Sequence, residues 1–203
     1  MIKRERIILR PLEESDLDFC QILYNDQHIR DMVVGWDFPL SKKNQKIWFE
    51  SLMNDKKNVR FIVETKNEEK IGLTGLWNID WHNRNALMAI KLLVTEEIKG
   101  KGYGRDAIMT MSSFAFFDVG LHKLWCEILD YNIPSLRSYV ERSGWKVEGR
   151  FREHIFKNGA FHDLYYVSCL KEDFLSVADS KEYIPSKIPE GMKRTDLDAK
   201  SRK

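Results

Sequence analysis

Lys99-Gly100-Lys101-Gly102-Tyr103-Gly104-Arg105 is the stretch on which the reading of this chain turns. Three alternating glycines are set among cationic side chains, after an apolar run and before a helical one. Glycine lets backbone N–H groups approach a ligand with no Cβ in the way. Where such N–H groups open a helix they form an anion site. Lys99, Lys101 and Arg105 add positive charge, so the ligand expected here carries phosphate, as a diphosphate does.

Outward from the loop, the order of elements can be read from periodicity and punctuation. Upstream, Ile7–Arg10 reads as a strand stopped by Pro11. Ser15 offers an N-cap for a helix to about Asn25, with Leu17, Cys20, Gln21 and Tyr24 near one face. Gln27 to Pro39 is irregular. Ser41 caps a second helix whose stripe is Ile47, Trp48, Leu52 and Met53. Arg60–Thr65, Lys70–Asp80 and Asn85–Val94 form an antiparallel meander. Downstream, a helix runs from about Arg105 to Asp118, then a strand over Lys123–Leu129. Asn132-Ile133-Pro134 opens a short helix ending at Gly144. Trp145–Phe156 and Phe161–Leu170 are a hairpin, with Asn158-Gly159 as its turn signal. The two strands around the loop and its helix must be parallel, because a helical crossover joins them.

Composition limits the classes open to the chain. It has 203 residues, 43% of them apolar and 32% charged, as in one soluble domain. The net charge of +2, from 33 basic and 31 acidic residues, speaks against a nucleic-acid binder. No apolar run approaches the roughly 18 residues that span a bilayer. The charged start Met1-Ile2-Lys3-Arg4-Glu5-Arg6 has no apolar segment after it, so no secretory signal is read and a cytoplasmic location is expected. Cys20, Cys126 and Cys169 are widely spaced and odd in number, suggesting buried thiols rather than disulfides or a zinc site. From Ser176 onward the apolar period fades, so residues 1–175 read as one domain and 176–203 as a polar tail.

Three phosphate ligands compete for the loop. A P-loop needs Gly-Lys followed by Ser or Thr, and none follows here. Gly102-x-Gly104-x-x-Ala107 fits a dinucleotide fingerprint, with Glu127 or Asp130 as the ribose carboxylate. Yet seven residues, Thr95 to Lys101, separate Val94 from Gly102, and four are charged. A meander is also not the opening of a doubly wound sheet. The third ligand is coenzyme A.

On that third reading the chain resembles the GNAT acyl-coenzyme A N-acyltransferases, whose loop reads Gln/Arg-x-x-Gly-x-Gly/Ala. Lys99 stands at the first position, Gly102 and Gly104 at the glycines. A second block is Asn132, Tyr139 and Gly144-Trp145. A third is Asn158-Gly159-Ala160-Phe161-His162-Asp163. The resemblance spans about residues 6 to 172. It looks most like the branch of ribosomal-protein alanine and spermidine N-acetyltransferases.

The resemblance implies a mixed α/β (α+β) fold: a central, mostly antiparallel sheet with one splayed parallel strand pair, flanked by helices. It implies acetyl-coenzyme A as co-substrate, with no metal, and an amine acceptor that attacks directly in a ternary complex. Main chain of Leu92, Leu93 and Val94 would hold the pantetheine and the acetyl carbonyl. Lys99, Gly100, Lys101, Gly102, Tyr103, Gly104 and Arg105 would wrap the diphosphate. Asn132 would bond the coenzyme or fix the splay, and also suits a helix cap. Arg137 would reach the phosphates or face solvent. Tyr139 is the candidate general acid for the departing thiolate.

One departure stands out. Relatives carry an acid on the strand before the loop, where this chain has Ala86-Leu87-Met88-Ala89. The general base is therefore unassigned, with Asp80, His82, Glu127 and His154 as substitutes. Carboxylates expected around a polyamine are thin: the second helix begins Ser41-Lys42-Lys43-Asn44-Gln45-Lys46, leaving Asp31, Asp37 and Glu50. Trp36, Phe38, Trp48, Trp77 and Trp81 offer either an aromatic wall or plain core. The acceptor stays open among amino sugar, amino acid, polyamine and peptide N-terminus. A homodimer and a non-catalytic coenzyme-binding module stay open too.

Overall fold

The computed structural model describes residues 1–3, 6–93 and 95–178. Its sheet has eight strands in the order β1-β2-β3-β4-β5-β6-β8-β7. These are β1 (Ile2–Lys3), β2 (Ile7–Pro11), β3 (Val59–Thr65), β4 (Lys70–Asp80), β5 (Asn85–Leu92), β6 (Lys123–Leu129), β7 (Lys146–Lys157) and β8 (Ala160–Leu170). All pairs are antiparallel except β5 with β6. The expected crossover is α4 (Tyr103–Ser113), extended to Asp118 by a π-helical turn.

Strand alternation assigns β5 two faces. Ala86 and Met88, with Ile90 and Leu92 against them, join the larger core under α4. The opposite face carries Leu93 against Cys20, Leu23, Ile29, Ile62 and Leu73, beneath α1 (Leu17–Asn25) and α2 (Gln27–Met32). The last N-terminal helix is α3 (Lys42–Ser51). After α5 (Ile133–Leu136) comes the π-helical turn Arg137–Glu141, whose Tyr139 packs on the fully buried Trp145.

The N-terminal region departs from the sequence reading in three ways. Ser15 does not cap α1; it lies inside a 3₁₀ turn, Glu14–Asp16, where Glu13 and Asp16 form a reciprocal capping box. Buried Asp16 takes Arg10 in two bonds of 2.6 and 2.8 Å, and Lys70 at 2.7 Å. The stretch after Asn25 is not irregular throughout: Asp26 accepts from the Ile29 N–H and starts α2. Ser41 does cap α3, but Ile47 is 54% exposed and Gln45 is the residue buried there. Helix α3 is short and polar, and Trp48 turns toward a cavity rather than a packed stripe.

The C-terminal hairpin follows its turn signal. Asn158 and Gly159 both have positive φ, 51° and 78°, as a type I′ turn requires. Asp163 pins the bulge in β7, accepting from the Glu153 N–H at 2.8 Å and from Arg150. A further helix, α6 (Lys171–Ala178), runs past the expected boundary at 175 and buries Val177. The rest of the predicted tail, 179–203, lies outside the described residues.

Candidate active site

The β5–β6 ladder has only three pairs: Asn85 with Lys123, Ala86 with Leu124, and Leu87 with Trp125. Beyond Leu87 the strands diverge, although β5 runs to Leu92 and β6 to Leu129. Strand β6 stays fully paired with β8, so β5 is released on the β6 side alone. The wedge is a cavity of about 140 Å³ lined by Leu87, Ala89, Lys91, Cys126, Glu127 and Tyr139, among others.

A larger cleft of about 400 Å³ runs from the wedge to the glycine loop. Thr95 holds the loop by accepting from the N–H groups of Ile98 and Lys99 at 3.0 and 2.9 Å. Gly102, with φ of 89°, ends the loop and caps α4 without a side-chain bond. The first N–H groups of a helix have no partner within it. The residues at this helix start, Gly102, Tyr103, Gly104 and Arg105, line the cleft. Asp106 is turned away, paired with Arg6 at 3.0 Å.

Of the residues singled out from sequence, Leu92, Lys99, Gly100, Gly102, Tyr103, Gly104, Arg105, Asn132 and Tyr139 line this cleft. Arg105 also donates to the Arg142 carbonyl at 2.9 Å. Leu93, Lys101 and Arg137 do not line it. Leu93 faces the other side of the sheet, packed on the smaller core. Lys101 and Arg137 are exposed. Val94 lies outside the described residues.

Tyr139 is 2% exposed, its ring edge-on to Trp145 with centroids 4.8 Å apart. Its hydroxyl is on the same wedge as the buried Cys126 thiol. Burial, then the adjacent sulfur, pushes the Tyr139 hydroxyl far above the usual phenol range. The group is held protonated. Burial also raises the Cys126 thiol and takes that of Cys20 up to about 12, which leaves both unreactive.

Asn132 spends both ends of its amide within the fold. Its Oδ1 accepts from the Ser135 N–H at 3.1 Å, and its Nδ2 donates to the Met32 carbonyl at 2.7 Å. Tyr131 donates to the Asp31 carbonyl, and buried Lys157 donates to the Val33 carbonyl. Three consecutive carbonyls at the end of α2 are thus held from β6–α5 and the hairpin. Met32 and Val33 consequently wall both the cleft and the wedge.

A third cavity, of about 270 Å³, lies under α1 and α3. Trp36, Trp48 and Trp77 line it, with Arg60 and Lys91. The rest of the expected aromatic wall does not take part: Phe38 is 81% and Trp81 54% exposed. Lys91 lines all three cavities. Its Nζ lies 4.3 Å from the Trp77 ring centroid and 5.1 Å from that of Trp36. Burial, followed by the charge on Arg60, pushes Lys91 down to about 8.

Lys91 and Arg60 were not singled out from the sequence. The available signal was one charge in the otherwise apolar run Met88-Ala89-Ile90-Lys91-Leu92-Leu93. The substitute bases scatter. Asp80 binds Asn83 in the β4–β5 turn, and His154 stacks near Phe151 on the hairpin. His82 is exposed in that same turn, and Glu127 alone of the four reaches the wedge.

Comparison with known proteins agrees with this geometry. The spermidine N-acetyltransferase of Vibrio cholerae, solved in complex with CoA and spermine, superposes with a TM-score of 0.76 at 28% identity. The match covers 83% of this chain and 98% of that one. In sequence, the Spermidine N(1)-acetyltransferase of Vibrio cholerae is 27% identical over 172 residues, 84% of this chain and 96% of its own. The SPbeta prophage-derived uncharacterized N-acetyltransferase YokL of Bacillus subtilis is 28% identical over 170 residues, 84% and 93% of the two chains. Residues 6–146, well over half of the chain, match the model of the acetyltransferase (GNAT) domain, and the chain belongs to that family of N-acetyltransferases.

Proposed function

We propose that the protein moves an acetyl group from acetyl-coenzyme A to a primary amine of a small molecule, by direct attack in a ternary complex. The observation that carries this reading is the wedge where β5 leaves β6 after Leu87, continuous with a cleft ending on the glycine loop. The loop N–H groups and Lys99 receive the diphosphate. The pantetheine lies along β5, whose backbone groups on the β6 side are released beyond Leu87. The acetyl carbonyl then takes main-chain N–H donors of the opened strand.

The acceptor nitrogen attacks the thioester carbon. The C–N bond forms, the C–S bond breaks, and the thiolate takes the Tyr139 proton. The proton released by nitrogen passes to water, and water restores Tyr139. The products are the amide and coenzyme A. What supports Tyr139 in this role is its place on both the cleft and the wedge, with a hydroxyl held protonated.

Release of thiol from acetyl-coenzyme A across a panel of amines tests the reading. Amine-dependent release, with stoichiometric N-acetylated product, is the expected result. Coenzyme A binding without turnover on any amine would replace it with a binding module.

A further inference from the structure

We propose that the aromatic cavity is the acceptor site, and that it takes an amine whose carrier bears an oxyanion, a carboxylate or phosphate, seated between Arg60 and Lys91. The proposal rests on the acetyl-transfer reading above and names its substrate class.

The sheet register builds the socket. Arg60 of β3 pairs with Gly75 of β4, which pairs with Ala89 of β5. The next row on that face is Ile62, Leu73 and Lys91, and on the other side Trp77 pairs with Leu87. Directly paired residues share a face. On that face Arg60, Leu73, Trp77 and Lys91 line the cavity. Arg60 Cζ stands 5.3 and 5.8 Å from the Trp48 and Trp77 ring centroids. Lys91 lies against Trp77 and Trp36. Tyr24, stacked on Trp36 at 4.4 Å, closes one side.

Charge then selects the ligand. Among the described residues, no Asp or Glu lines this cavity. Arg60 has Asp55 at 3.8 Å, whereas Lys91 has no carboxylate partner among those residues. Of the acids near the region, Asp31 accepts from Gln27 and Asp37 pairs with Lys157. Burial lowers both Arg60 and Lys91, as expected for cations lacking sufficient counter-charge. Two cations at one cavity wall repel a polyamine and attract an oxyanion; Arg60 supplies the planar fork that matches one. The relatives acting on spermidine do not set the acceptor of this chain, because the charge at this wall has the opposite sign from a polycation's need.

Position supplies the reason for an amine at the far end. Lys91 also borders the wedge and the donor cleft. An oxyanion held at Arg60 and Lys91 leaves the remainder of a short acceptor to extend toward the thioester. The indoles cover its body and exclude water.

The test uses the full chain with matched acceptors: an amino acid against its amide, an amino sugar phosphate against the free amino sugar, and spermidine. The anionic member of at least one pair is expected to exceed its neutral twin in kcat/KM by roughly tenfold or more. Which pair responds distinguishes carboxylate from phosphate. Arg60→Met should bring that ratio close to one by raising KM, and Arg60→Lys should restore part of it. Preference for spermidine, or equal use of both twins, overturns the proposal while leaving acetyl transfer intact. If no amine turns over, the transfer reading fails, and the socket is read separately through tryptophan fluorescence. Quenching by N-acetyl amino acids or N-acetyl sugar phosphates that Arg60→Met removes, with the circular dichroism unchanged, then supports the anion socket. No quenching by any of them overturns it.

Discussion

Asn132 Nδ2 donates to the Met32 carbonyl at 2.7 Å, across a hundred residues of sequence, while its Oδ1 caps α5. One side chain therefore fixes a helix start and the wall between two cavities. The two duties separate by substitution. Asn132→Ser keeps a capping oxygen but is too short for Met32, and should cost about 1 kcal/mol, one net hydrogen bond. Asn132→Ala loses the cap as well, another 1 kcal/mol or so. Both variants should raise KM for acetyl-coenzyme A, because Met32 and Val33 line the donor cleft. Denaturant midpoints and initial rates check this. A rise in KM for Ala but not Ser would assign the effect to the cap.

Tyr139→Phe keeps the ring against Trp145 and removes only the hydroxyl. Turnover should fall about 10²–10⁴-fold, the range for loss of a general acid. Coenzyme A affinity and thermal midpoint should change little. Isothermal titration with coenzyme A, beside kcat, reads the two separately. A parallel loss of affinity would instead mark the hydroxyl as a binding group.

Gly104 tests whether the loop is a cradle or only a tight turn. A Cβ there would meet Leu92 and Ser138 at 3.9 Å, ordinary contact distance, and its φ is not in the left-handed region. Gly104→Ala should therefore fold with an unchanged midpoint. If a diphosphate packs on this backbone, the methyl stands in its way, and coenzyme A binding should weaken roughly tenfold, about 1.4 kcal/mol. Titration with coenzyme A and with dephosphorylated pantetheine separates the causes. The pantetheine affinity should not change.

The frame was legible where local chemistry and the final fold agree. Lys70–Asp80 and Lys123–Leu129 match their predicted bounds, since alternation and turn residues alone delimit them. Asn158-Gly159 dictates its own hairpin. The N-terminal helices were less legible because tertiary contacts decide them. Glu13 and Asp16 rather than Ser15 close the turn before α1, and Arg10 and Lys70 hold Asp16 from two strands. Polar α2 stands on Asp26 and on distant side chains at its end. The donor side of the site lay in contiguous motifs. The acceptor side is assembled from Arg60, Trp77 and Lys91 on three strands, plus Trp36 and Trp48, and no local pattern joins them.

Lys91 gives the acceptor side a signature in stability as well as in rate. Its ammonium is held down to about 8 from an ordinary 10.5, by burial and by Arg60. Arg60, Cys20, Tyr24, Cys126, Glu127 and Tyr139 also line the cavities it borders, and burial keeps both thiols and the Tyr139 hydroxyl neutral well past pH 8. Between those two values the unfolded chain keeps a proton on Lys91 that the folded chain has lost. Stability therefore rises with pH across that window, relative to a chain without this lysine. Below pH 8 both states are protonated and the burial penalty is constant. Lys91→Met should be the more stable protein at about pH 7.5, with its advantage shrinking by about pH 9.5, as read from urea midpoints. An oxyanion bound at Arg60 and Lys91 would supply the missing counter-charge and raise the ammonium back toward its ordinary value. A saturating N-acetylated anionic product should accordingly flatten the difference between the two pH values for the native chain, and leave Lys91→Met unaffected. A constant gap between the proteins at both pH values would mean that Lys91 titrates normally.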